Sequence, residues 1–300
     1  MRLDKFNIII LLFFSFTFSN FAQVSDLVRL EYAYFPQKQS ENSFKRLRAG
    51  FCFPIKLNDK DAYLVPGFEY RNVNFDFEDQ VNFDTFRLND YDSYELTLGY
   101  TYKIKPNLRF AATSGVLISS NFETKKIISE DVLFSGSVYI INDQTKNTEY
   151  KKPWRLILGL GYSTSAGFPL PLPIINYYRE FRPKWSFTLG IPKMNLKYDV
   201  TEKSSVQTFV TLDGFFANIQ NNRVTSISNT TNAVAENISM TVAYSGLGYE
   251  YNLMKYLQFY TYIGHTFINN IRLLDGNRND VYTINDKNTF YFRGGFKVKI

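Results

Sequence analysis

The sequence predicts an all-β transmembrane antiparallel barrel, on three observations: a period of two from about residue 25 onward, an aromatic share of 18 %, and connectors that alternate between short and long. The last segment shows the period well. Phe290, Phe292, Gly294, Phe296, Val298 and Ile300 share one face, while Thr289, Tyr291, Arg293, Gly295, Lys297 and Lys299 share the other. Successive strand side chains point to opposite faces, so such a segment is apolar on one side and polar on the other. Three more segments repeat it. Leu47, Ala49, Phe51, Phe53 and Ile55 alternate with Arg46, Arg48, Gly50 and Cys52. Tyr94, Leu96, Leu98, Tyr100, Tyr102 and Ile104 alternate with Ser93, Glu95, Thr97, Gly99, Thr101 and Lys103. Trp154, Leu156, Leu158, Leu160 and Tyr162 alternate with Arg155, Ile157, Gly159, Gly161 and Ser163. Weaker copies run near 27–35, 62–76, 108–119, 131–141, 204–216, 238–252 and 257–269.

Tight links are expected at Asn58–Asp61, Lys105–Asn107, Thr201–Ser204 and Asn252–Tyr256. Longer polar links are expected at Pro36–Ser43, Glu78–Asp90, Asn121–Glu130, Gln220–Asn237 and Leu274–Asn288. Short turns at one end and long loops at the other are the habit of outer-membrane barrels. Counting through these links gives about twelve strands. Residues 167–184 interrupt the count. Pro169, Pro171 and Pro173 cannot donate ladder bonds, which argues against a regular central strand. This piece is therefore expected to fold inward as a loop or short hairpin that narrows the lumen, with Tyr177, Tyr178 and Arg179 meeting whatever passes. The next wall strand is expected over 185–200, bulged at Pro192, where the apolar face switches from Phe187, Leu189 and Ile191 to Met194, Leu196 and Tyr198.

The N-terminus has its own character. Arg2 and Lys5 precede an almost wholly apolar run, Phe6 to Phe18. That run is too short for a membrane span and suits a signal-peptide core. Residues 1–22 are expected to be a cleaved signal peptide, with Asn20 a poor fit to the small-residue rule, and 23–300 the barrel domain. The mean hydropathy of −0.23 argues against a bundle of membrane helices. One cysteine and one histidine exclude an intrachain disulfide framework and are too few for a His/Cys zinc site. The pI of about 9.1 comes from scattered basic residues rather than a nucleic-acid-binding block.

The polar faces carry charges that a packed soluble core could not solvate, which favours lipid outside and a polar lumen inside over a secreted soluble β-protein. The candidate lumen residues are Arg46, Arg48, Glu69, Arg71, Glu95, Arg109, Arg155 and Arg293. An excess of inward Lys and Arg would favour anions in a channel. The same groups could equally fill the lumen as internal ion pairs, for example Glu31 with Arg29 or Arg48, and Glu69 with Arg71.

The chain resembles a family of Gram-negative outer-membrane β-barrels that is a domain of unknown function. The resemblance rests on Phe168-Pro-Leu-Pro-Leu-Pro173 followed by Ile174-Ile-Asn-Tyr-Tyr178, on Pro183-Lys-Trp-Ser-Phe187 and Gly190-Ile-Pro192, and on Gly246-Leu-Gly-Tyr-Glu-Tyr251. It spans essentially the whole mature chain and implies fold and location, with no substrate or catalytic residues. The chain departs from barrels generally in ending on Ile300 rather than an aromatic residue.

No catalytic, cofactor or metal residues are expected. His265 shares its face with Phe259, Ile263 and Phe267 and has no serine two residues along, so it reads as a lipid-side histidine. Asp275-Gly-Asn-Arg-Asn-Asp280, with Asp286 beyond, lacks the glycine and glutamate positions of an EF-hand loop and reads as a polar outer loop. The expected partners are outer-membrane lipid, the barrel assembly machinery and an unidentified small solute, with no nucleic acid. Two functions stay open: a passive channel or transporter for small solutes, anions among them, and a closed structural or surface-interaction barrel without transport activity. They differ in whether a continuous path survives the inward charges and residues 167–184.

Overall fold

The computed structural model describes residues 26–58, 61–81, 83–147, 152–163, 171–228 and 231–299; the expected signal peptide, Pro169 and the rest of 164–170 lie outside them. Sixteen strand segments form one antiparallel sheet: β1 (Val28–Pro36), β2 (Ser43–Cys52), β3 (Ile55–Asn58), β4 (Ala62–Asp76), β5 (Asp90–Lys105), β6 (Leu108–Ser120), β7 (Val132–Asp143), β8 (Trp154–Ser163), β9 (Leu172–Arg182), β10 (Trp185–Ile191), β11 (Lys193–Asp199), β12 (Ser204–Ser228), β13 (Thr231–Asn252), β14 (Leu257–Leu274), β15 (Asp280–Asn285) and β16 (Phe290–Val298). β2 and β3 both pair with β4, and β15 and β16 both pair with β14, so each couple is one interrupted wall strand. The barrel therefore has fourteen wall strands and closes where β1 meets β16, from Val28↔Val298 to Tyr34↔Phe292.

The alternation sets the faces as expected. Leu47, Leu96, Leu98, Leu158, Leu160, Phe290 and Phe296 are exposed on the outside, while Arg46, Ser93 and Tyr291 on the opposite faces of β2, β5 and β16 are buried. Toward the short-turn end the outer surface carries an aromatic band. Trp185 packs on Tyr198 at 4.7 Å and lies 6.4 Å from Phe181, and Trp154 lies 6.4 Å from Tyr177. Such girdles sit at the membrane–water interface in barrels.

The expected strand count is low by two, and both errors fall between 172 and 200. Residues 172–182 do not fold into the lumen: they form wall strand β9, paired with β8 from Trp154↔Arg179 to Gly161↔Leu172 and with β10. The prolines do not prevent this, because β10 stops at Ile191 opposite Ile175. Pro173 thus lies on an edge, where a missing donor is tolerated. From Ile174 onward the segment has its own period of two. The expected single strand over 185–200 is instead a hairpin, β10–β11, paired from Trp185↔Tyr198 to Thr188↔Asn195. The apolar face switches at Pro192 because the chain reverses there, not because of a bulge. Gly190 makes that reversal possible. Its φ is +138°, and a Cβ there would lie 1.7 Å from the Ile175 carbonyl oxygen. Gly190→Val should cost roughly 1–3 kcal/mol from the backbone conformation alone, seen as a smaller folded fraction by heat-modifiable gel migration; wild-type behaviour would contradict this turn geometry.

The hairpin leaves the wall uneven. β11 begins opposite Thr211, but β12 continues far beyond that point toward the long-loop end. There β12 meets β6 directly. Ser120 and Asn218 form a parallel bridge, Ser119 Oγ donates to the Phe216 carbonyl at 3.0 Å, and Ser120 Oγ to the Asn218 carbonyl at 3.2 Å. Strands β7–β11 thus enclose only the short-turn half, and a narrower ring closed by the β6–β12 seam forms the long-loop half. The expected polar loop at Gln220–Asn237 is mostly strand, since β12 and β13 stay paired to Ser228↔Thr231.

Candidate functional site: a sealed upper lumen above a basic chamber

The narrow ring is filled. Phe35, Phe44, Phe75, Tyr91, Phe215, Tyr244 and Tyr291 come from seven different strands, and none is more than 3 % exposed. Their rings touch in sequence around the lumen: Tyr244–Tyr291 at 4.3 Å, Tyr291–Phe35 at 5.3 Å, Phe35–Phe44 at 5.3 Å, Phe44–Phe75 at 5.0 Å, Phe75–Tyr91 at 6.2 Å and Tyr91–Phe215 at 5.8 Å. Several are edge-to-face contacts, the arrangement aromatic quadrupoles favour. Leu88, Ile219, Ile238, Met240, Ile271 and Leu273 pack with them as one cluster.

Beneath the rings lies an ionic layer. Arg46 on β2 reaches across the lumen to Asp213 on β12 in a two-pronged contact of 2.7 and 3.0 Å. Glu31 lies 3.6 Å from both Arg46 and Arg293 and accepts a 2.7 Å hydrogen bond from Tyr260. Tyr244 donates to Asp213 at 3.4 Å and accepts from Arg293 at 3.3 Å. A planar guanidinium held bidentately by a carboxylate fixes geometry as well as charge, so this layer ties opposite walls together.

Toward the short turns the lumen opens into a cavity of about 920 Å³. Seven basic side chains line it: Arg29, Arg109, Arg155, Lys193, Lys197, Lys297 and Lys299. Among the described residues only two acidic ones do, Asp26 and Glu250. Asp26 pairs with Arg29, and Glu250 is shared by Lys197 at 2.9 Å and Lys297 at 3.2 Å. That leaves an excess of cations. Arg109 donates to the Asp61 carbonyl at 2.9 Å, Arg155 stacks 5.7 Å from the Tyr178 ring, and Lys193 lies over the rings of Tyr262 and Phe209 at 5.2 and 5.6 Å. Arg155 Nε is buried without a hydrogen-bond partner among the described residues. At the short-turn rim, burial and the neighbouring Lys297 pull the Lys299 ammonium down to about 8.

All eight residues expected in the lumen point inward, but they divide. Arg46 and Arg293 belong to the ionic layer. Arg48, Glu69, Arg71 and Glu95 form a chain along the wall, with Arg48–Glu69 at 2.6 Å, Arg71 beside Glu69, and Arg71–Glu95 at 3.5 Å. Arg109 and Arg155 line the chamber. The residues expected to gate separate further. Pro171 and Pro173 are exposed at the start of β9, Tyr177 packs outward on Trp154 and Phe187, and Arg179 is exposed. Tyr178 alone faces the lumen, donating to Glu180 at 2.9 Å. The sequence reading missed Asp213 and the inward aromatics. Phe35, Phe75, Phe209 and Phe215 on otherwise polar faces were the available signal.

His265 is exposed on the outer wall, edge-on to Phe290 at 5.0 Å, with Nδ1 2.6 Å from the Thr266 carbonyl oxygen. The Asp275 carboxylate caps its own loop, accepting from the backbone of Asn277 and Asn279 and the side chain of Asn279; those bonds hold it below its ordinary value.

Several solved outer-membrane proteins are similar to this chain, all at low identity. A NanC porin aligns at 8 % identity over 91 % of this chain and 100 % of its own, with a TM-score of 0.40. A KdgM porin aligns at 9 % over 91 % and 99 %, with a TM-score of 0.36, and the Pseudomonas putida toluene transporter TodX at 11 % over 92 % and 89 %, with a TM-score of 0.37. No curated protein matches the sequence. The family described as a domain of unknown function, DUF6268, matches residues 19–299, and the chain, an outer-membrane-type β-barrel, belongs to that family.

Proposed function

We propose that this chain is an outer-membrane barrel that takes anionic small solutes into a basic chamber from its short-turn side, while its long-loop side stays sealed at rest. The chamber carries the reading: among the described residues, seven cationic side chains face two acidic ones across a cavity of about 920 Å³. Fixed positive charge in a narrow space with low-dielectric walls concentrates anions. The aromatic core and the Arg46–Asp213 contact above it support a closed resting state rather than an open diffusion pore. In this reading residues 1–22 are a cleaved export signal, the short turns face the periplasm of a Gram-negative cell, and the assembly machinery inserts the barrel. Passage to the long-loop side then requires the upper lumen to rearrange.

Planar bilayer recordings test this. Wild-type protein should show no steady open conductance. The triple variant Arg46→Ala, Asp213→Ala, Tyr244→Ala, which removes the crossing contact and a large ring, should conduct with a reversal potential displaced toward that of chloride. A wide steady conductance in the wild type, or cation selectivity in the variant, would refute the proposal.

A further inference from the structure

The chamber shares two wall residues with a groove on the lipid side. β10 and β11 are paired over only four positions, from Trp185↔Tyr198 to Thr188↔Asn195. Beyond that last pair the two strands part around Gly190, Ile191 and Pro192. A groove of about 450 Å³ runs along the outer wall here, lined by Phe187, Leu189, Met194, Leu196 and Val210. Thr188 and Asn195 line this groove and also line the basic chamber. The same two side chains thus border an apolar groove on the lipid face and a cationic cavity inside.

The surrounding charges fit one kind of occupant. Lys193 is two residues from Asn195 on the same inward face, and its ammonium forms no ion pair among the described residues. Arg155, Tyr178, Thr188 and Asn195 lie in one cross-strand row over β8–β11, so Arg155 is two strand spacings, about 10 Å, from Thr188. Arg155 contributes a buried Nε that lacks a hydrogen-bond partner among the described residues. Cations that form no ion pair among the described residues call for an anion, and the groove beyond the gap calls for an alkyl chain.

We infer that the gap above the Thr188–Asn195 pair is a lateral doorway for a single-chain anionic amphiphile, whose headgroup enters the chamber beside Lys193 and Arg155 while its acyl chain lies in the outer groove. This deepens the chamber reading by naming a solute class and a second route of entry, from the bilayer instead of the short-turn mouth. Such a ligand meets each half of the site with matching chemistry. A free inorganic anion would leave the groove unused, and a neutral lipid would leave the cations unpaired.

The test uses the full barrel in a nonionic detergent, with a dansyl-labelled long-chain fatty acid as probe. Wild-type protein should bind it saturably. Lys193→Gln should weaken binding at least tenfold, and Thr188→Trp, which fills the doorway without changing charge, should do the same. The matching dansyl alcohol should bind the wild type at least tenfold more weakly, and inorganic phosphate should not displace the fatty acid at equal concentration. Heat-modifiable migration checks that each variant is folded. If one variant fails to fold, the other, together with the alcohol and phosphate arms, decides. Equal binding of acid and alcohol, or no effect of either folded variant, would overturn the doorway. Displacement by phosphate that Thr188→Trp does not alter would also overturn it while leaving the basic chamber intact. Absence of any saturable anion binding would remove both.

Discussion

Asp213→Ala should destabilise the folded barrel by about 3–5 kcal/mol, the range for removing one member of a buried ion pair. The cost comes from what is left behind. Arg46 is 3 % exposed, and without Asp213 its remaining acid is Glu31 at 3.6 Å, already shared with Arg293. Tyr244 loses the carboxylate it donates to. Asp213 is itself 19 % exposed, so water entering the site could relieve part of the penalty and place the effect toward the lower end. Arg46→Met with Asp213→Leu should recover most of the loss, because the charge is removed with its partner; pairs replaced this way are often neutral or more stable. Urea unfolding in phospholipid vesicles, followed by Trp154 and Trp185 fluorescence, measures both. A loss under 1 kcal/mol for Asp213→Ala, or additive losses in the double variant, would contradict an ionic layer that ties β2 to β12.

What could be seen in the sequence was local. The inward and outward faces of β2, β5, β8 and β16 follow from a period of two, which a reader can count along one strand. Strand number failed where the signals misled. Three prolines at alternate positions hid the alternation of Ile175, Tyr177 and Phe181 against Ile174, Asn176 and Tyr178. The reversal at Gly190-Ile191-Pro192 carries apolar residues rather than the usual polar turn set, so it read as a kink in one strand. The seal was harder still. Arg46 and Asp213 are 167 residues apart, and their meeting depends on the closure of the whole barrel and on β6 joining β12. An alternation pattern places both on the lumen face but not at the same height. The basic excess was legible from composition of the inward faces, whereas its division into a sealed layer and an open chamber needed the register.

Leu98→Arg and Thr97→Arg should separate sharply although the positions are adjacent. Both lie near the middle of β5, opposite Pro66 and Gly67 of β4, and so at mid-depth of the wall. Leu98 is 48 % exposed on the outer face. An arginine there meets acyl chains, and on the lipid face of a barrel at the midplane that costs about 2–4 kcal/mol. Thr97 lines the chamber, so an arginine there keeps its water and meets only added repulsion from the cations already present. The long side chain at 97 must also find room beside Gly67, where a Cβ would already lie 2.6 Å from Thr97 Oγ1. The chamber offers that room on its open side. Insertion into vesicles, scored by the heat-modifiable folded fraction, should fall strongly for Leu98→Arg and little for Thr97→Arg. A double-barrelled control is Leu98→Ala, which removes the same side chain without adding charge and should insert almost as well as the wild type. Equal tolerance of the two arginines would mean that both faces of β5 meet water, and the membrane-spanning assignment of this wall would fall with it.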